Sequence, residues 1–301
     1  MDEQNNAPLW RYTTLKIGGE ANRLCQPTSV DELVNLMAEL KKRDEPWYVL
    51  GGGSNLLISS SGVQGTVIRT AQMINMTNPE PEVIEADAGA RMPHVAKFAA
   101  TQGLSGLEFS VGIPGTVGGG VIMNAGAHGS CIANVFESAK IYDSQTGEVS
   151  TLNKDELGFV YRRCSLDPSR HVVLSARFKL QPAEKETIEA QIKHNEEYRW
   201  KTQPLGWPNA GSTFKNPEPT RSAGMLLDQA GAKNMREGAA AVSAMHANFV
   251  INMGGATSEE AVALLRKMQE LVFDSFKVEL HPEWKTMGKF TDKELAVWRS
   301  K

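Results

Sequence analysis

The spacing of apolar residues along the chain predicts amphipathic helices. Two of them open with a capping-box pattern, Ser29 with Glu32 and Thr257 with Glu260. After each of these starts, leucine, methionine, valine or alanine recurs every three or four positions, as on one buried face of a helix. The pattern predicts helices over 30–42 and from 257 onward. Pro93 and Gly103 bound a further helix over 93–102, Gly231 ends one over 223–230, and the charged stretch 182–200 is also expected to be helical.

Short runs of β-branched and aromatic residues bounded by glycine, proline or asparagine predict strands. We expect a turn at 62–65 and a linker at 79–82, and a terminal helix of little consequence over 289–301. The helix over 182–200 is expected to lead into a separate domain. The predicted strands are 47–50, 66–69, 83–88, 138–142, 148–152, 172–180, 247–252 and 278–283.

Glycine interrupts this pattern most strongly between positions 112 and 129, where the chain carries seven glycines together with Pro114 and an Asn124 turn. So many glycines give up side-chain packing, which suits a backbone ribbon that a flat or phosphorylated ligand approaches closely. The plainer alternative is a tight loop between strands. A second glycine run, 51–55, follows a predicted strand, and its successive backbone N–H groups would form a nest for an anion such as a diphosphate.

These glycine runs do not match the common nucleotide-binding motifs. A dinucleotide-binding G-x-G-x-x-G run starting at Gly51 would need glycine at position 56, which is Leu56. The chain has no G-x-x-x-x-G-K-[ST] sequence. Rossmann-type and P-loop sites are therefore disfavoured.

Composition narrows the class of protein further. The chain has 301 residues, 41% of them hydrophobic and 22% charged, and a net charge of −3, which gives no basic field for nucleic acid. Cys25, Cys131 and Cys164 are too few and too scattered for a disulfide framework or a zinc site. The polar N-terminus is unlike a signal peptide, and no apolar run is long enough to span a membrane. We expect a cytoplasmic protein without membrane insertion.

Candidate chemical groups are weak when each is taken alone. The six histidines show no metal-ligand spacing, so we expect no metal site. Ser212 lies in a glycine-rich elbow, but that elbow is not the G-x-S-x-G sequence of hydrolases. Arg162 and Glu283, taken singly, fit ordinary surface charges as well as functional ones.

Taken in order, however, these motifs resemble the UDP-N-acetylenolpyruvoylglucosamine reductase family over residues 10–288. The spacing of 50 residues from Arg162 to Ser212 is similar to that of a shorter subgroup, which lacks an extra tyrosine-bearing loop. Cys164 departs from the family, which more often has serine there, and puts a local polar contact in doubt. The matching motifs are 51-GGGSN-55, 112-GIPGTVGG-119, 124-NAG-126, Tyr161-Arg162, 211-GSTFKNP-217, 222-SAG-224, 246-HANF-249 and Pro282-Glu283.

The resemblance implies an α+β architecture. A two-lobed FAD-binding domain of the vanillyl-alcohol-oxidase (PCMH) type would occupy 14–182, with lobes at about 14–72 and 80–182. An α/β substrate-binding domain would follow at 190–288, and 289–301 would be a C-terminal tail. We expect a monomer.

The resemblance also implies the reaction. NADPH would reduce a non-covalently bound FAD and leave, and UDP-N-acetylglucosamine enolpyruvate would enter the same cleft in a ping-pong scheme. Hydride from flavin N5 and a proton would convert the enolpyruvyl group to the lactyl ether of UDP-N-acetylmuramate, a peptidoglycan precursor. The implied FAD-binding residues are Gly51, Gly52, Gly53, Ser54, Asn55, Leu56, Gly112, Ile113, Pro114, Gly115, Thr116, Gly118, Gly119, Asn124, Ala125 and Gly126.

The catalytic residues implied by the resemblance are Arg162, Ser212 and Glu283. Ser212 would give the proton to the α carbon, while Arg162 and Glu283 would answer charge that develops on the substrate carboxylate. Substrate-binding roles fall to Tyr161, Lys215, Asn216 and His246.

Two other classes of protein remain open at the level of sequence. A flavin oxidase with a covalently attached flavin is disfavoured, because the 51–55 run offers no histidine or cysteine for that bond. A non-catalytic flavin-binding or UDP-sugar-binding regulator would have no need of Arg162, Ser212 and Glu283 together.

Overall fold

The computed structural model describes residues 1–218 and 220–299. The chain forms two compact units, each made of several chain segments. Unit 1 comprises Met1–Gln4, Arg23–Gly52 and Gly65–Arg199. Unit 2 comprises Asn5–Asn22, Gly53–Gln64 and Trp200–Lys301.

The helices form where the apolar periodicity predicted them, with short additional ones between. Ser29 caps the first long helix by accepting from the amide of Glu32, and Thr257 and Glu260 form a reciprocal capping box at the last long one. In the described residues the helices are α1 Val30–Arg43, α2 Met92–Thr101, α3 Val117–Ile122, α4 Ile132–Val135, α5 Lys154–Leu157, α6 Lys185–Thr202, α7 Ala223–Gln229, α8 Ser258–Phe276 and α9 Asp292–Leu295.

The strands are mostly short. The longer ones are β1 Asp2–Pro8, β2 Glu20–Gln26, β3 Trp47–Leu50, β5 Val63–Arg69, β6 Met76–Glu80, β7 Val83–Asp87, β11 Phe136–Asp143, β12 Val149–Asn153 and β13 His171–Lys179. The shorter ones are β4 Leu56–Ile58, β8 Leu104–Ser105, β9 Gly126–Ala127, β10 Ser130–Cys131, β14 Gln181–Pro182, β15 Arg236–Glu237, β16 Ala240–Val242, β17 Val250–Asn252 and β18 Lys285–Met287.

Unit 1 is built on an antiparallel sheet of order β12-β11-β13-β7-β6. Alternate residues of its strands, together with α2 and α3, bury a core that includes Ile84, Val121 and Phe178. A second core packs α1 against residues such as Ile68 and Leu174. In the sheet β1-β2-β5-β3, strands β3 and β5 are parallel, and β3 delivers the chain to Gly51.

Unit 2 has one core, gathered around the apolar face of α8 and the fully buried Trp284. A three-stranded antiparallel sheet of order β15-β16-β17 packs on it. Strands β18 and β4 are parallel and pair Lys285 with Leu56 and Met287 with Ile58. No helix in the described ranges is both long and apolar enough to cross a membrane.

Four predicted boundaries are wrong. Strand β5 already begins at Val63, because the turn closes earlier with the Gly62 amide donating to Ser59. The predicted linker at 79–82 is the turn of a β6–β7 hairpin, in which Glu80 pairs with Val83. The predicted strand 247–252 shortens to β17, since residues 246–249 form a turn.

The fourth wrong boundary and one further wrong prediction lie near the C-terminus. Residues 278–283 form no strand, because Pro282 lacks an N–H and the segment makes only an isolated bridge between Pro282 and Phe214. The terminal helix predicted over 289–301 reduces to α9 and a 3₁₀ turn over Ala296–Trp298, while 300–301 lie outside the described residues. This segment is not inconsequential, since Val297 is 3% exposed within the unit 2 core.

Candidate active site

The first glycine turn lies in unit 1 at the end of β3. A Cβ atom on Gly51 would approach Oγ1 of Thr116 to 2.5 Å, and one on Gly52 would approach the carbonyl oxygen of Pro114 to 3.1 Å. Thr116 is 1% exposed, and its hydroxyl has no hydrogen-bond partner among residues 1–218 and 220–299. Buried polar groups are normally paired, so this hydroxyl is a group that a bound ligand would satisfy.

The rest of the 51–55 run belongs to unit 2. Gly53 has φ +61°, and a Cβ there would come within 2.2 Å of the Tyr12 carbonyl, so only glycine fits. Asn55 uses its side-chain amide to donate to the Glu283 carbonyl at 3.1 Å, and its own carbonyl accepts from Lys285 at 3.0 Å. The Asn55 side chain thus holds the segment that carries Glu283.

The glycine-rich segment, residues 112–129, is not the side-chain-free ribbon that the sequence predicts. Its centre is α3, where glycine permits close packing on unit 1. The Gly118 amide donates to the Ala88 carbonyl at 2.9 Å, and a Cβ on Gly118 would lie 3.1 Å from the Ala88 Cβ. Gly120 similarly packs on Met92. At these two positions glycine serves helix packing.

Arg162 lies on a tight turn beside this segment. The Arg163 amide donates to the Val160 carbonyl at 3.2 Å, and Arg162, at the third position of the turn, has φ +57°. A type II turn normally places glycine there, so an arginine in this conformation is strained. Strain of this kind is typical of functional positions.

Contacts to the glycine-rich segment orient the Arg162 side chain. Its guanidinium donates to the Gly126 carbonyl at 3.0 Å and lies over the exposed ring of Tyr161, 5.0 Å from the centroid. The Asn124 side chain also holds the turn. Its amide group donates to the Val160 carbonyl, and its Oδ1 accepts from the Ala133 amide, both at 3.0 Å.

Cys164 follows the Arg162 turn and is 5% exposed within the unit 1 core. Burial raises the pKa of its thiol, so the side chain behaves as a small apolar group. A backbone hydrogen bond from Leu166 opposes this effect of burial on the thiol.

In unit 2, the backbone brings Ser212 and Glu283 together. The Glu283 amide donates to the Thr213 carbonyl at 2.8 Å, and the Lys215 amide donates to the His281 carbonyl at 2.9 Å. These two bonds flank the bridge between Phe214 and Pro282. The Ser212 loop, residues 211–217, therefore lies against the Glu283 segment, residues 280–284, with both key side chains half-buried.

Asn248 locks the Ser212 loop from its other side, a role that the sequence analysis did not assign. Its side chain accepts from the Phe214 amide and donates to the Phe214 carbonyl, both at 2.9 Å, while its backbone carbonyl accepts from the Thr213 amide at 2.8 Å. Asn248 is 3% exposed. Its place in the 246-HANF-249 motif was the available signal.

His246 supports Asn248 in turn. Its Nδ1 accepts from the Asn248 amide at 3.2 Å, and its ring meets Phe249 edge to face with centroids 4.8 Å apart. Burial lowers the pKa of the imidazole, and the Lys233 charge lowers it further. A neutral ring is what the acceptor role of Nδ1 requires. These contacts make His246 part of the scaffold that holds the Ser212 loop.

The two remaining predicted substrate residues differ in exposure. Lys215 is half-buried next to the bridge, whereas Asn216 is exposed and accepts from the Ala223 amide at 3.1 Å, at the start of α7. The sequence analysis also missed Arg199 of α6, which in unit 1 lies against the glycine-rich segment. A Cβ on Gly112 would meet Arg199 Cδ at 3.2 Å, and burial lowers the pKa of the guanidinium. Its helix shows little amphipathic pattern, so no sequence signal marked it.

A metal centre has no basis in the part of the chain that the structure describes. No group of three or more histidine, cysteine, aspartate or glutamate side chains there could hold a metal ion.

Two family models match the chain. The model of an FAD binding domain matches residues 21–153, and that of the UDP-N-acetylenolpyruvoylglucosamine reductase C-terminal domain matches residues 203–287. The first contains the glycine turn, Thr116 and the whole glycine-rich segment, and the second contains the Ser212 loop and Glu283.

Full-length relatives match across nearly the whole chain. A UDP-N-acetylenolpyruvoylglucosamine reductase of Synechococcus sp. (strain RCC307) is 41% identical over 98% of this chain and 97% of its own length. One from Bacillus thuringiensis subsp. konkukian (strain 97-27) is 41% identical over 94% of this chain and 93% of its own.

A solved structure agrees with these relatives. The crystal structure of the UDP-N-acetylenolpyruvylglucosamine reductase of Thermus caldophilus superposes with a TM-score of 0.80 at 34% identity, covering 95% of this chain and 98% of that one. The predicted α+β architecture with a PCMH-type FAD-binding fold is confirmed. The chain belongs to the UDP-N-acetylenolpyruvoylglucosamine reductase family.

Proposed function

We propose that this protein uses NADPH and FAD to reduce UDP-N-acetylglucosamine enolpyruvate to UDP-N-acetylmuramate, a step of peptidoglycan synthesis. Membership of the family makes it an FAD-dependent oxidoreductase. The observation that carries the assignment to this chain's residues is the backbone pairing of the Ser212 loop with the Glu283 segment. That pairing supports the proposal that the Ser212 hydroxyl and the Glu283 carboxyl group act on the same substrate.

The unit 1 residues fit FAD. Because Gly51 and Gly52 have no side chain, their backbone lies close to Thr116 and Pro114, where a Cβ atom would clash. The unpaired Thr116 hydroxyl would gain a hydrogen-bond partner from a bound diphosphate or ring. No histidine or cysteine lies in the 51–55 run, which supports a non-covalent site. When bound, FAD carries the electron pair from NADPH to the enolpyruvyl group.

Ser212 acts as the proton donor in this proposal. Reduction of the enolpyruvyl group adds hydride at its CH₂ carbon and a proton at the adjacent α carbon. Thr213 on one side and Gly211 on the other, the latter with φ +73°, hold the serine on bent backbone, and Asn248 fixes that bend. The serine hydroxyl gives up its proton at the α carbon and recovers one from solvent.

Glu283 and Arg162 stabilise charge in this proposal. As the bond to the CH₂ carbon forms, negative charge spreads into the neighbouring carboxylate, and donors aimed there act mainly on the transition state. Glu283 would serve as a hydrogen-bond donor in its protonated form. The strained turn and the Gly126 contact of Arg162 support a preorganised cation.

The other predicted site residues are proposed to contact either the cofactor or the substrate. The backbone of Gly53, Ser54, Leu56, Ile113, Gly115, Gly119 and Ala125 would line the cofactor, and Tyr161 and Lys215 would contact substrate. We propose that residues 14–182 carry the FAD domain and 190–288 the substrate domain. The compact units divide differently, since Asn5–Asn22 and Gly53–Gln64 cluster with unit 2.

We further propose that the enzyme works as a cytoplasmic monomer, where NADPH and the nucleotide substrate are available. Light scattering at assay concentration tests the monomer, and a dimer mass would contradict it. The activity itself is tested by incubating purified holoenzyme with NADPH and the enolpyruvyl substrate and identifying the product by mass spectrometry. NADPH-dependent formation of UDP-N-acetylmuramate is expected, whereas its absence would refute the assignment.

A further inference from the structure

The C-terminal segment, residues 289–299, folds back onto the chain immediately around Glu283. The indole N–H of Trp298 donates to the carbonyl of Trp284 at 2.8 Å. Trp284 is the residue next to Glu283 and is fully buried. The two tryptophans are 14 positions apart in sequence, so this bond closes a loop that begins one residue after the proposed catalytic glutamate.

A single side chain of α8 ties the same two pieces together. The side-chain amide of Gln269 donates both to the Leu280 carbonyl at 2.8 Å and to the Val297 carbonyl at 3.0 Å. Leu280 begins the Glu283 segment, and Val297, 3% exposed, anchors the C-terminal segment in the unit 2 core. The Glu283 segment is therefore held at both ends by contacts that involve the C-terminal segment.

The side chain of Trp284 is held by packing. Its indole N–H has no hydrogen-bond partner within the described ranges, although the side chain is fully buried. The backbone around Trp284 is fixed by the bonds of Asn55 to Glu283 and Lys285 on either side and by the bond that Trp298 makes to the Trp284 carbonyl. A displacement of the C-terminal segment would move Trp284, and Trp284 is joined to Glu283 by one peptide bond.

The backbone of Glu283 is bonded to the Ser212 loop, so a shift of Glu283 would change its position relative to Ser212. Its amide is bonded to Thr213, and its carbonyl accepts from the Asn55 side chain at 3.1 Å. Catalytic groups lose rate when they are displaced by as little as about 1 Å. We propose that Trp298 and Gln269 form a brace that sets the position of Glu283 relative to Ser212, which makes Trp298 a positioning residue.

This inference rests on the proposed role of Glu283, and the experiment separates the two. Trp298→Phe keeps an aromatic ring in place and removes only the N–H donor. We expect reoxidation of the NADPH-reduced holoenzyme by the enolpyruvyl substrate to slow about 3- to 10-fold, the rate equivalent of one hydrogen bond. Flavin reduction by NADPH should stay within about 2-fold of wild type.

The decisive measurement is the same substitution in a Glu283→Ala background, because alanine removes the donor that glutamine would keep. If Trp298 acts through Glu283, Trp298→Phe should have almost no further effect on reoxidation once the glutamate is gone, because residues that work as a unit are not additive. Multiplying effects in the double variant would overturn the brace, as would equal slowing of both half-reactions or a wild-type reoxidation rate in Trp298→Phe.

Two controls complete the test. Arg299→Gln breaks an exposed ion pair with Asp292 in the same segment, at 2.9 Å, and should leave both half-reactions unchanged. Gln269→Met removes the other half of the brace and replaces Trp298→Phe if that variant melts too low to assay. A Glu283→Ala enzyme that reoxidises at the wild-type rate would refute the role of Glu283 and the brace with it, whereas slow Glu283→Ala with normal Trp298→Phe and Gln269→Met would refute the brace alone.

Discussion

The amide of Glu283 donates a 2.8 Å hydrogen bond to the carbonyl of Thr213, the residue that follows Ser212. One backbone bond therefore joins the proposed proton donor and the proposed carboxyl group, although 71 positions separate Ser212 from Glu283 in the sequence (283 − 212). Because backbone bonds of this kind do not depend on side-chain rotamers, substitutions at Ser212 or Glu283 should change chemistry without collapsing the loop.

Ser212→Ala should bind FAD and be reduced by NADPH normally, yet reoxidise with the enolpyruvyl substrate about 10² to 10⁴ times more slowly, the usual cost of losing a general acid. Ser212→Cys should recover part of this loss, since a thiol can also donate a proton. Rapid-mixing absorbance of the flavin measures both steps.

Thr213→Ser is the matched control for Ser212. The Thr213 hydroxyl is buried and accepts from the Val250 amide at 3.2 Å, so valine there would remove a needed acceptor, whereas serine keeps it. Near-normal reoxidation is expected for Thr213→Ser. An alanine variant at 212 that reoxidises at the wild-type rate would rule Ser212 out as the acid.

Arg162→Ala should slow reoxidation by the enolpyruvyl substrate about 10²- to 10³-fold, the cost of one donor aimed at developing charge. Flavin reduction by NADPH should change much less. The neighbouring Arg163→Ala is the control, because Arg163 is exposed and takes part in the turn through its backbone. Equal losses in both half-reactions for Arg162→Ala would indicate a role in folding or flavin binding instead.

Gly51→Ala should lower FAD content, because the added methyl would lie 2.5 Å from the Thr116 hydroxyl. Overpacking of this kind costs about 1 to 3 kcal/mol, here spread over folding stability and flavin affinity. Gly206→Ala, where a methyl meets nothing within 4 Å, should retain full flavin. Absorbance of flavin per chain after gel filtration decides it, and unchanged flavin in Gly51→Ala would contradict the site.

Stability should fall in mild acid partly through His246. Burial lowers its pKa below the ordinary value of 6.5, so the unfolded state binds more protons as the pH drops. The stabilising contribution is complete above about pH 6.5 and is lost as the pH falls through the folded-state value.

His246→Asn tests this contribution, because the amide oxygen can replace Nδ1 as acceptor for Asn248 but does not titrate. Its free energy of unfolding should fall less than that of wild type between pH 7 and pH 5, as followed by urea denaturation. Lys233 and Asp228 also act on this ring, so both are kept unchanged. Parallel pH profiles for the two proteins would show that His246 does not contribute.

Local signals in the sequence predicted the helices well. Ser29 and Thr257 each cap a helix whose apolar face is buried, so propensity, capping and packing agree for α1 and α8. The short motifs were equally local, and those around Arg162, Ser212 and His246 mark turns or loops that the structure holds with specific hydrogen bonds.

Pairings between distant segments were beyond the sequence. Nothing in residues 278–283 shows that Pro282 bridges Phe214, or that β18 continues in parallel with β4 more than 200 positions away. The α3 helix was missed because helix propensity disfavours glycine, whereas close packing on Ala88 requires it. The roles of Asn248 and Trp298 also depend on such long-range contacts.

The central claim is that one protein passes reducing equivalents from NADPH through FAD to the enolpyruvyl substrate. An anaerobic titration of the purified holoenzyme with NADPH, followed by addition of UDP-N-acetylglucosamine enolpyruvate, tests it most directly. NADPH should bleach the flavin absorbance, and the substrate should restore it with formation of one UDP-N-acetylmuramate per flavin reoxidised. Flavin that stays reduced after the substrate is added, or a purified protein whose flavin NADPH does not bleach, would contradict it.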